Sequence, residues 1–164
     1  MKGIQLIGHG GFDKLVFNKD IPKPIPKEDE VLIKVSAAGV NNTDINTRIG
    51  WYSKSVTTDT NDGGEKGFSS SNEKDATWSG NALKFPRIQG ADICGKIISV
   101  GKEVDQSRIE ERVIVRSMQS DPENIYKISS YVIDAEIDGG FAEYVAARSS
   151  ETFRINSDWS DVEL

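Results

Sequence analysis

The stretch Pro86-Arg-Ile-Gln-Gly-Ala-Asp-Ile-Cys-Gly-Lys-Ile-Ile-Ser-Val-Gly101 is the most informative part of this 164-residue sequence. Its second half, residues 93–100, is an apolar run with the period of two that is typical of a β-strand. Gly101 follows at the point where the strand must end or turn. Residues 93–100 are therefore predicted to form a buried strand.

The same alternation recurs in other short segments. In residues 31–36, Val31, Ile33 and Val35 alternate with Leu32, Lys34 and Ser36, which puts the β-branched set on one face of a strand. Further strands are predicted at residues 2–7, 112–116, 126–133 and 141–147. Many short strands separated by Gly and Pro favour a barrel or a sandwich. One short helix is predicted at residues 43–48, with Asn42 or Thr43 as its N-cap and Gly50 closing its last turn.

Composition excludes several classes of function. The formal net charge is −6, whereas nucleic acids and anionic membranes require clustered Lys and Arg. No apolar run approaches the roughly 20 residues that span a bilayer. The single cysteine, Cys94, cannot form an internal disulfide, which suits a reducing, cytoplasmic location. We therefore expect neither a nucleic-acid nor a membrane partner.

Two regions interrupt the strand pattern. Residues 53–84 form a long polar insertion, and loops of this length are either functional lids or disordered segments. Near the C-terminus, Trp159, Ser160 and Glu163 have the spacing of a hydrophobic staple followed by a capping box. These are the signals that start a helix, and we interpret residues 151–164 as a connector that leads into a helix of a further domain.

Six segments together resemble one family. They are the opening strand with its glycine turn, Glu28–Val35, Ala37–Tyr52, Gly90–Gly101, Glu111–Val115 and Asp138–Val145. Each alone is weakly specific, but in this order they resemble the medium-chain dehydrogenase/reductase superfamily. The resemblance implies a mainly β fold, a GroES-like partly open β-barrel with one or two short helices, over residues 1–150. It also implies a separate Rossmann domain that binds NADPH or NADH in the complete enzyme.

The resemblance also bears on the metal. Zinc-dependent alcohol dehydrogenases of the superfamily have Cys at the position of Asn41 and His at the position of Ala91, so this chain is similar to the zinc-independent, quinone-oxidoreductase-like branch. A tetrahedral zinc site requires several His or Cys ligands. His9 and Cys94 are the only such residues, 85 positions apart. We interpret His9 as an exposed loop residue and Cys94 as a small buried side chain, and we expect no metal site.

Three polar residues near the predicted helix are candidates for catalysis. Asn41, Thr43 and Tyr52 carry an amide, a hydroxyl and a phenol, the groups that can stabilise negative charge on a carbonyl oxygen. The resemblance places Asn41 and Tyr52 in the active site, and Asn41 and Thr43 beside the nicotinamide. The structural alternatives are that Asn41 and Thr43 only cap the helix and that Tyr52 is a packed ring with a hydrated hydroxyl.

Three functions are therefore open. The first is the catalytic domain of an NAD(P)H-dependent reductase that acts on a quinone, enone or carbonyl compound without zinc, in an enzyme that the resemblance implies is a homodimer. The second is a zinc-type alcohol dehydrogenase with altered ligands. The third is a non-catalytic binding module similar to a co-chaperonin. These residues contain no glycine-rich dinucleotide fingerprint, so we expect the segment alone to bind no nicotinamide cofactor.

Overall fold

The structure, a computed structural model, describes residues 1–77, 82–119 and 131–164. It is mainly β, as predicted. Within these ranges the helix α1 spans Asn42–Ile49. The strands are β1 (Gly3–Leu6), β2 (Leu15–Asn18), β3 (Glu30–Gly39), β4 (Arg87–Ile88), β5 (Asp92–Val100), β6 (Arg112–Val115), β7 (Met118–Gln119), β8 (Tyr131–Val132), β9 (Tyr144–Arg148) and β10 (Thr152–Arg154). Short 3-10 turns occur at Phe12–Lys14, Thr60–Gly63, Gln106–Arg108 and Ser149–Glu151.

The strands form sheets that do not close on themselves. A five-stranded antiparallel sheet has the order β10-β6-β5-β3-β9, and a three-stranded sheet has the order β2-β1-β4. A bridge between Gly3 and Ala142 joins the first strand of one sheet to the approach to β9 in the other. The open sheets agree with the predicted partly open barrel.

The alternation predicted for residues 31–36 identifies side chains of the main hydrophobic core. Val31 and Ile33 of β3 are fully buried and pack with Ile97 of β5, Val113 of β6 and Val145 of β9. Leu32 is buried as well, although the alternation put it on the outer face. The register of β3 against β5 shifts between Leu32 and Ile33, a bulge that re-aims neighbouring side chains.

Several element boundaries differ from the prediction. The strands β2 and β10 were not predicted, and residues 152–154, expected to be a connector, instead pair with β6 at the edge of the five-stranded sheet. The strand predicted at 141–147 begins only at Tyr144. Of the strand predicted at 126–133, residues 126–130 lie outside the described residues, and Tyr131–Val132 pairs with β7.

The first part of the polar insertion packs onto the domain. The N–H of Phe68 donates to the carbonyl of Ile49 at 2.9 Å, and the buried hydroxyl of Ser53 donates to Asp75 at 2.9 Å. Arg48, only 4% exposed, donates from Nη1 to the carbonyl of Gly10 at 2.7 Å. Residues 53–77 thus lie against the end of α1 and the turn that precedes β2. No helix among the described residues has the length and apolar character needed to cross a membrane.

Candidate active site

The helix α1 begins where β3 leaves the sheet. Asn41 is its N-cap, with an extended backbone (φ −115°, ψ 164°). The carboxylate of Asp44 accepts the N–H of Asn41 at 2.7 Å, which is the reach-back half of a capping box. The predicted caps, Asn42 and Thr43, are instead the first helical residues, because Asp44 fixes the helix start three residues earlier at Asn41. The predicted closure at Gly50 is confirmed, with φ 74°.

The turn between β4 and β5 is attached to this helix start. The N–H of Gly90 donates to Oδ1 of Asp44 at 3.0 Å, and the side chain of Gln89 donates to the Asp44 carbonyl at 3.0 Å. Gly90 has φ 94°, and a Cβ at this position would lie 2.6 Å from the ring of Phe141. Glycine is therefore required here. These bonds hold Ala91 and Asp92 beside Asn41.

A cleft of about 440 Å³ opens between the helix start and β7–β8. Asn41, Thr43 and Tyr52 all line it, so the structure brings the three predicted site residues together. Residues that were not predicted complete the lining, among them Met118, Val132, Asp134 and Ala135.

Asn41 is already engaged on one side of the cleft. Its side-chain nitrogen donates to Oδ2 of Asp92 at 2.6 Å. A primary amide has two N–H groups, so one remains to meet a ligand. Asn41 thus caps α1 and also lines the cleft.

Thr43 and Tyr52 differ in their surroundings. Thr43 is exposed on the first turn of α1. Tyr52 is partly buried, its ring meets Trp51 edge to face at 5.5 Å between centroids, and its hydroxyl contacts the side chain of Asn46. Burial raises the pKa of the Tyr52 phenol above its usual value, so the phenol stays protonated and can donate a hydrogen bond at neutral pH.

Asp134 is the acidic residue of the cleft that stands out by its burial, and it was not among the predicted site residues. It is 5% exposed, its Oδ2 is buried without a hydrogen-bond partner, and its backbone has φ 83°. Its carboxyl group contacts that of Asp44, and burial, followed by the charge of Asp44, raises the pKa of Asp134 to about 8. The only signal in the sequence is an acidic residue that interrupts the apolar segment Val132-Ile133-Asp134-Ala135.

His9 lies elsewhere, and its predicted exposure is wrong. The ring is half-buried against Phe85, Nδ1 donates to the carbonyl of Thr47 at 2.6 Å, and Nε2 is buried without a partner. Burial lowers the pKa of His9. Cys94 is 3% exposed on β5, which confirms it as a small buried side chain. Neither residue lines the cleft.

The donor set of the cleft does not suit zinc. Ala91 has no ligating atom, and the amide of Asn41 is bonded to Asp92. Over residues 1–77, 82–119 and 131–164, no group of three or more His, Cys, Asp or Glu side chains lies close enough together to hold a metal ion. A catalytic zinc site requires three protein ligands of these types.

The cleft fits one end of a nicotinamide cofactor. Asn41 and Thr43 offer an amide and a hydroxyl that match a carboxamide, and Val132 and Ala135 offer apolar surface for a ring. A diphosphate instead requires backbone N–H groups at a helix start or clustered positive charge. The carboxylate of Asp92 in the same cleft would repel it.

Comparisons with known proteins give a consistent result. The family model of the alcohol dehydrogenase GroES-like domain matches residues 67–157. A quinone oxidoreductase from Lama guanicoe is 27% identical over 155 residues, which cover 94% of this chain and 33% of the relative. The human quinone oxidoreductase is 26% identical over 155 residues, which again cover 94% of this chain and 33% of the relative. The chain spans about a third of the length of these relatives.

Solved structures have the same fold. A putative alcohol dehydrogenase from Sinorhizobium meliloti 1021 has a TM-score of 0.77 and 36% sequence identity to this chain. The match covers 99% of this chain and 42% of the chain of that structure. A putative zinc-binding dehydrogenase from the same organism, solved with NADP, has a TM-score of 0.71 at 20% identity and covers 98% and 40% of the two chains. The second likeness shows the fold alone.

Proposed function

Since the chain belongs to the family of alcohol dehydrogenase GroES-like domains, we propose that it forms the substrate side of an NAD(P)H-dependent oxidoreductase that transfers hydride to a quinone, enone or carbonyl compound without zinc. The observation that carries this proposal is the convergence of Asn41, Thr43 and Tyr52 on one cleft. These side chains supply an amide, a hydroxyl and a phenol next to Ala91, which cannot hold a metal.

The chemistry assigned to the cleft is stabilisation of negative charge. When hydride reaches the carbon of a carbonyl group, charge develops on the oxygen, and fixed hydrogen-bond donors lower the energy of that state. A donor of this kind changes the rate by about two to three orders of magnitude when well aimed. A hydrogen bond of 2.6 Å to Oδ2 of Asp92 orients the side-chain amide of Asn41. Contacts with Asn46 and Trp51 orient the side chain of Tyr52. We assign the oxygen of the substrate to the space between them.

A reduced nicotinamide, when bound, supplies the hydride. On this chain Asn41 and Thr43 would hold its carboxamide end, because they line the polar edge of the cleft. We assign the diphosphate to a nucleotide-binding domain with a glycine-rich turn, and we expect residues 1–164 alone to bind no NADPH or NADH. A homodimer and a cytoplasmic location complete the proposal for the complete enzyme.

The test is steady-state turnover by the full-length protein that carries this chain. Oxidation of NADPH and of NADH is followed with a quinone, an enone and an aldehyde as acceptors, before and after exhaustive chelation, with metal content measured in parallel. We expect turnover with at least one acceptor, no bound zinc and no effect of the chelator. Activity that disappears on chelation and returns with zinc would favour the altered-ligand alcohol dehydrogenase. A protein inactive with every acceptor would overturn the proposed function.

A further inference from the structure

Asp134 occupies an unusual place in the cleft. It follows β8 at a left-handed backbone position (φ 83°), a conformation that costs a non-glycine residue energy and that Asp and Asn tolerate better than most. The residue is 5% exposed and lines the cleft, and its Oδ2 is buried without a hydrogen-bond partner. A buried, unpaired carboxyl oxygen in a polar cleft needs an explanation.

The hydrogen bonds of Asp44 show which of the two carboxyl groups holds the proton. Asp44 accepts N–H groups on both oxygens, from Asn41 at 2.7 Å and from Gly90 at 3.0 Å. Burial raises the pKa of Asp44 as well, and the two donated bonds oppose that rise by stabilising its ionised form. Two ionised carboxylates in contact would have no donor between them. Asp134 is therefore the protonated member of the pair.

We propose that Asp134 is a catalytic acid that delivers its proton to the substrate in this cleft. This inference rests on the proposed function, because a carbonyl group that accepts a hydride also requires a proton. It adds a residue that neither the sequence motifs nor the comparisons identify.

The proton balance of the step is simple. Reduction of a carbonyl group consumes one hydride, which the reduced nicotinamide of the proposed function supplies, and one proton. The carbon–oxygen π bond breaks, the substrate oxygen gains an O–H bond, and the O–H bond of Asp134 breaks. Its electron pair stays on the carboxylate. Water at the open side of the cleft then returns a proton to Asp134.

The other hydroxyl groups of the cleft are weaker acids. Burial raises the pKa of Tyr52 above an already high value, and the hydroxyl of Thr43 does not ionise in this range. A general acid works best when its pKa lies near the working pH, and the pKa of Asp134 is about 8. Tyr52 and Thr43 therefore suit hydrogen bonding, and Asp134 suits proton transfer.

The charged and titratable groups around Asp134 come from every neighbouring segment. Asp44 on α1 and Glu136 on its own turn raise the pKa of Asp134, and Arg87 on β4 lowers it. Tyr52, after α1, responds to the charge of Asp134. The two acidic neighbours outweigh Arg87, which is paired with Asp138 at 2.9 Å.

Asp134→Asn in the full-length protein is the test variant. Asn tolerates the left-handed backbone and can donate an N–H to Asp44, so the fold is kept while the acidic proton is lost. We expect kcat/KM to fall by about a hundredfold or more. In the wild type kcat/KM should decline as pH rises past about 8, and this decline should disappear in the variant. Asp105→Asn, which removes an exposed carboxylate outside the cleft, is the control and should leave both properties unchanged.

Infrared spectroscopy supplies a readout that does not depend on turnover. A carbonyl band of a protonated carboxylic acid should be present in the wild type below pH 8 and lost above it, and it should be absent from Asp134→Asn. Absence of this band in the wild type, or unchanged kinetics in Asp134→Asn, overturns the inference. A wild-type protein that shows the band but has no reductase activity overturns the proposed function. The catalytic role of Asp134 is then overturned too, whereas the protonation of Asp134 is confirmed.

Discussion

Asn41 is held by two different parts of the chain at once. Its backbone N–H is bound to Asp44, and its amide is bound to Asp92. The first contact starts α1 and the second aims a donor into the cleft. A substitution of Asn41 therefore removes the amide and its bond to Asp92 together, and Tyr52 offers a simpler test of the proposed site.

Tyr52→Phe removes the phenol hydroxyl and keeps the ring. If the hydroxyl binds the substrate oxygen, kcat/KM of the full-length protein should fall by about tenfold or more, with little change in melting temperature. If Tyr52 is only a packed ring, turnover should stay near wild type, because Phe fills the same volume. Steady-state kinetics with parallel thermal melts separate the two cases. Tyr144→Phe on β9, outside the cleft lining, is the matched control and should not affect turnover.

Asp134 should also be visible in the pH dependence of stability. Its pKa is about 8 in the folded protein against 3.8 for a free side chain. A group whose pKa rises on folding favours the folded state most at low pH, and this contribution is lost as pH rises from about 4 to about 8.

The difference in free energy of unfolding between Asp134→Asn and the wild type isolates this contribution. Denaturant titrations should show the variant gaining stability relative to the wild type across that window, with no further change above about pH 8. A difference that does not vary with pH would mean that Asp134 is ionised in the folded protein.

The sequence predicted part of the site and missed another part for physical reasons. Asn41, Thr43 and Tyr52 lie within twelve residues of one another, so a local motif could identify them. Asp134 lies 90 positions from Asp44, and its importance comes from burial and from that contact. No local pattern reports either property.

At the level of elements, α1 and the first part of the polar insertion depend on each other. Gly67 lies against Gly10, and a Cβ at Gly67 would approach the Gly10 backbone at 2.8 Å. Arg48 of α1 donates to the same Gly10 carbonyl at 2.7 Å. The insertion therefore packs against the end of α1, and the first residues of the same helix, Asn42 and Thr43, line the cleft.

Gly67→Ala should loosen this contact. Both Gly67 (φ 77°) and Gly64 (φ 45°) have a positive φ, so Ala at either position is strained. Only Gly67 meets another backbone, whereas the nearest atom at Gly64 is 3.9 Å away.

We expect Gly67→Ala to destabilise the protein by roughly 1–3 kcal/mol more than Gly64→Ala and to speed proteolytic cleavage within residues 53–77. Denaturant titrations and limited proteolysis provide the two measurements. Equal effects of the two substitutions would show that residues 53–77 do not rest on the turn at Gly10.

Short strands were harder to predict than long ones. β3 and β5 have nine or ten residues with clear alternation, and both were found. β2 and β10 have four and three residues. Length alone does not explain this, because β1 and β6 also have four residues and were predicted. The pairing of β2 with β1 and of β10 with β6 comes from tertiary contacts.

For the whole molecule, the order of motifs was more informative than any single motif. The predicted resemblance to the medium-chain dehydrogenase/reductase superfamily is confirmed by the family match and by the quinone oxidoreductase relatives. Glu110 illustrates what the resemblance alone could not give. It has a left-handed backbone with φ 73° shortly before β6.

In the proposed function, a substrate bound in this cleft accepts hydride at carbon without zinc. The most direct test uses metal-depleted full-length protein, nicotinamide cofactor deuterated at C4 of the reduced ring, and an enone acceptor. We predict that mass spectrometry finds one deuterium bound to carbon in the reduced product. Product without deuterium, or product formed only after zinc is restored, would contradict the account.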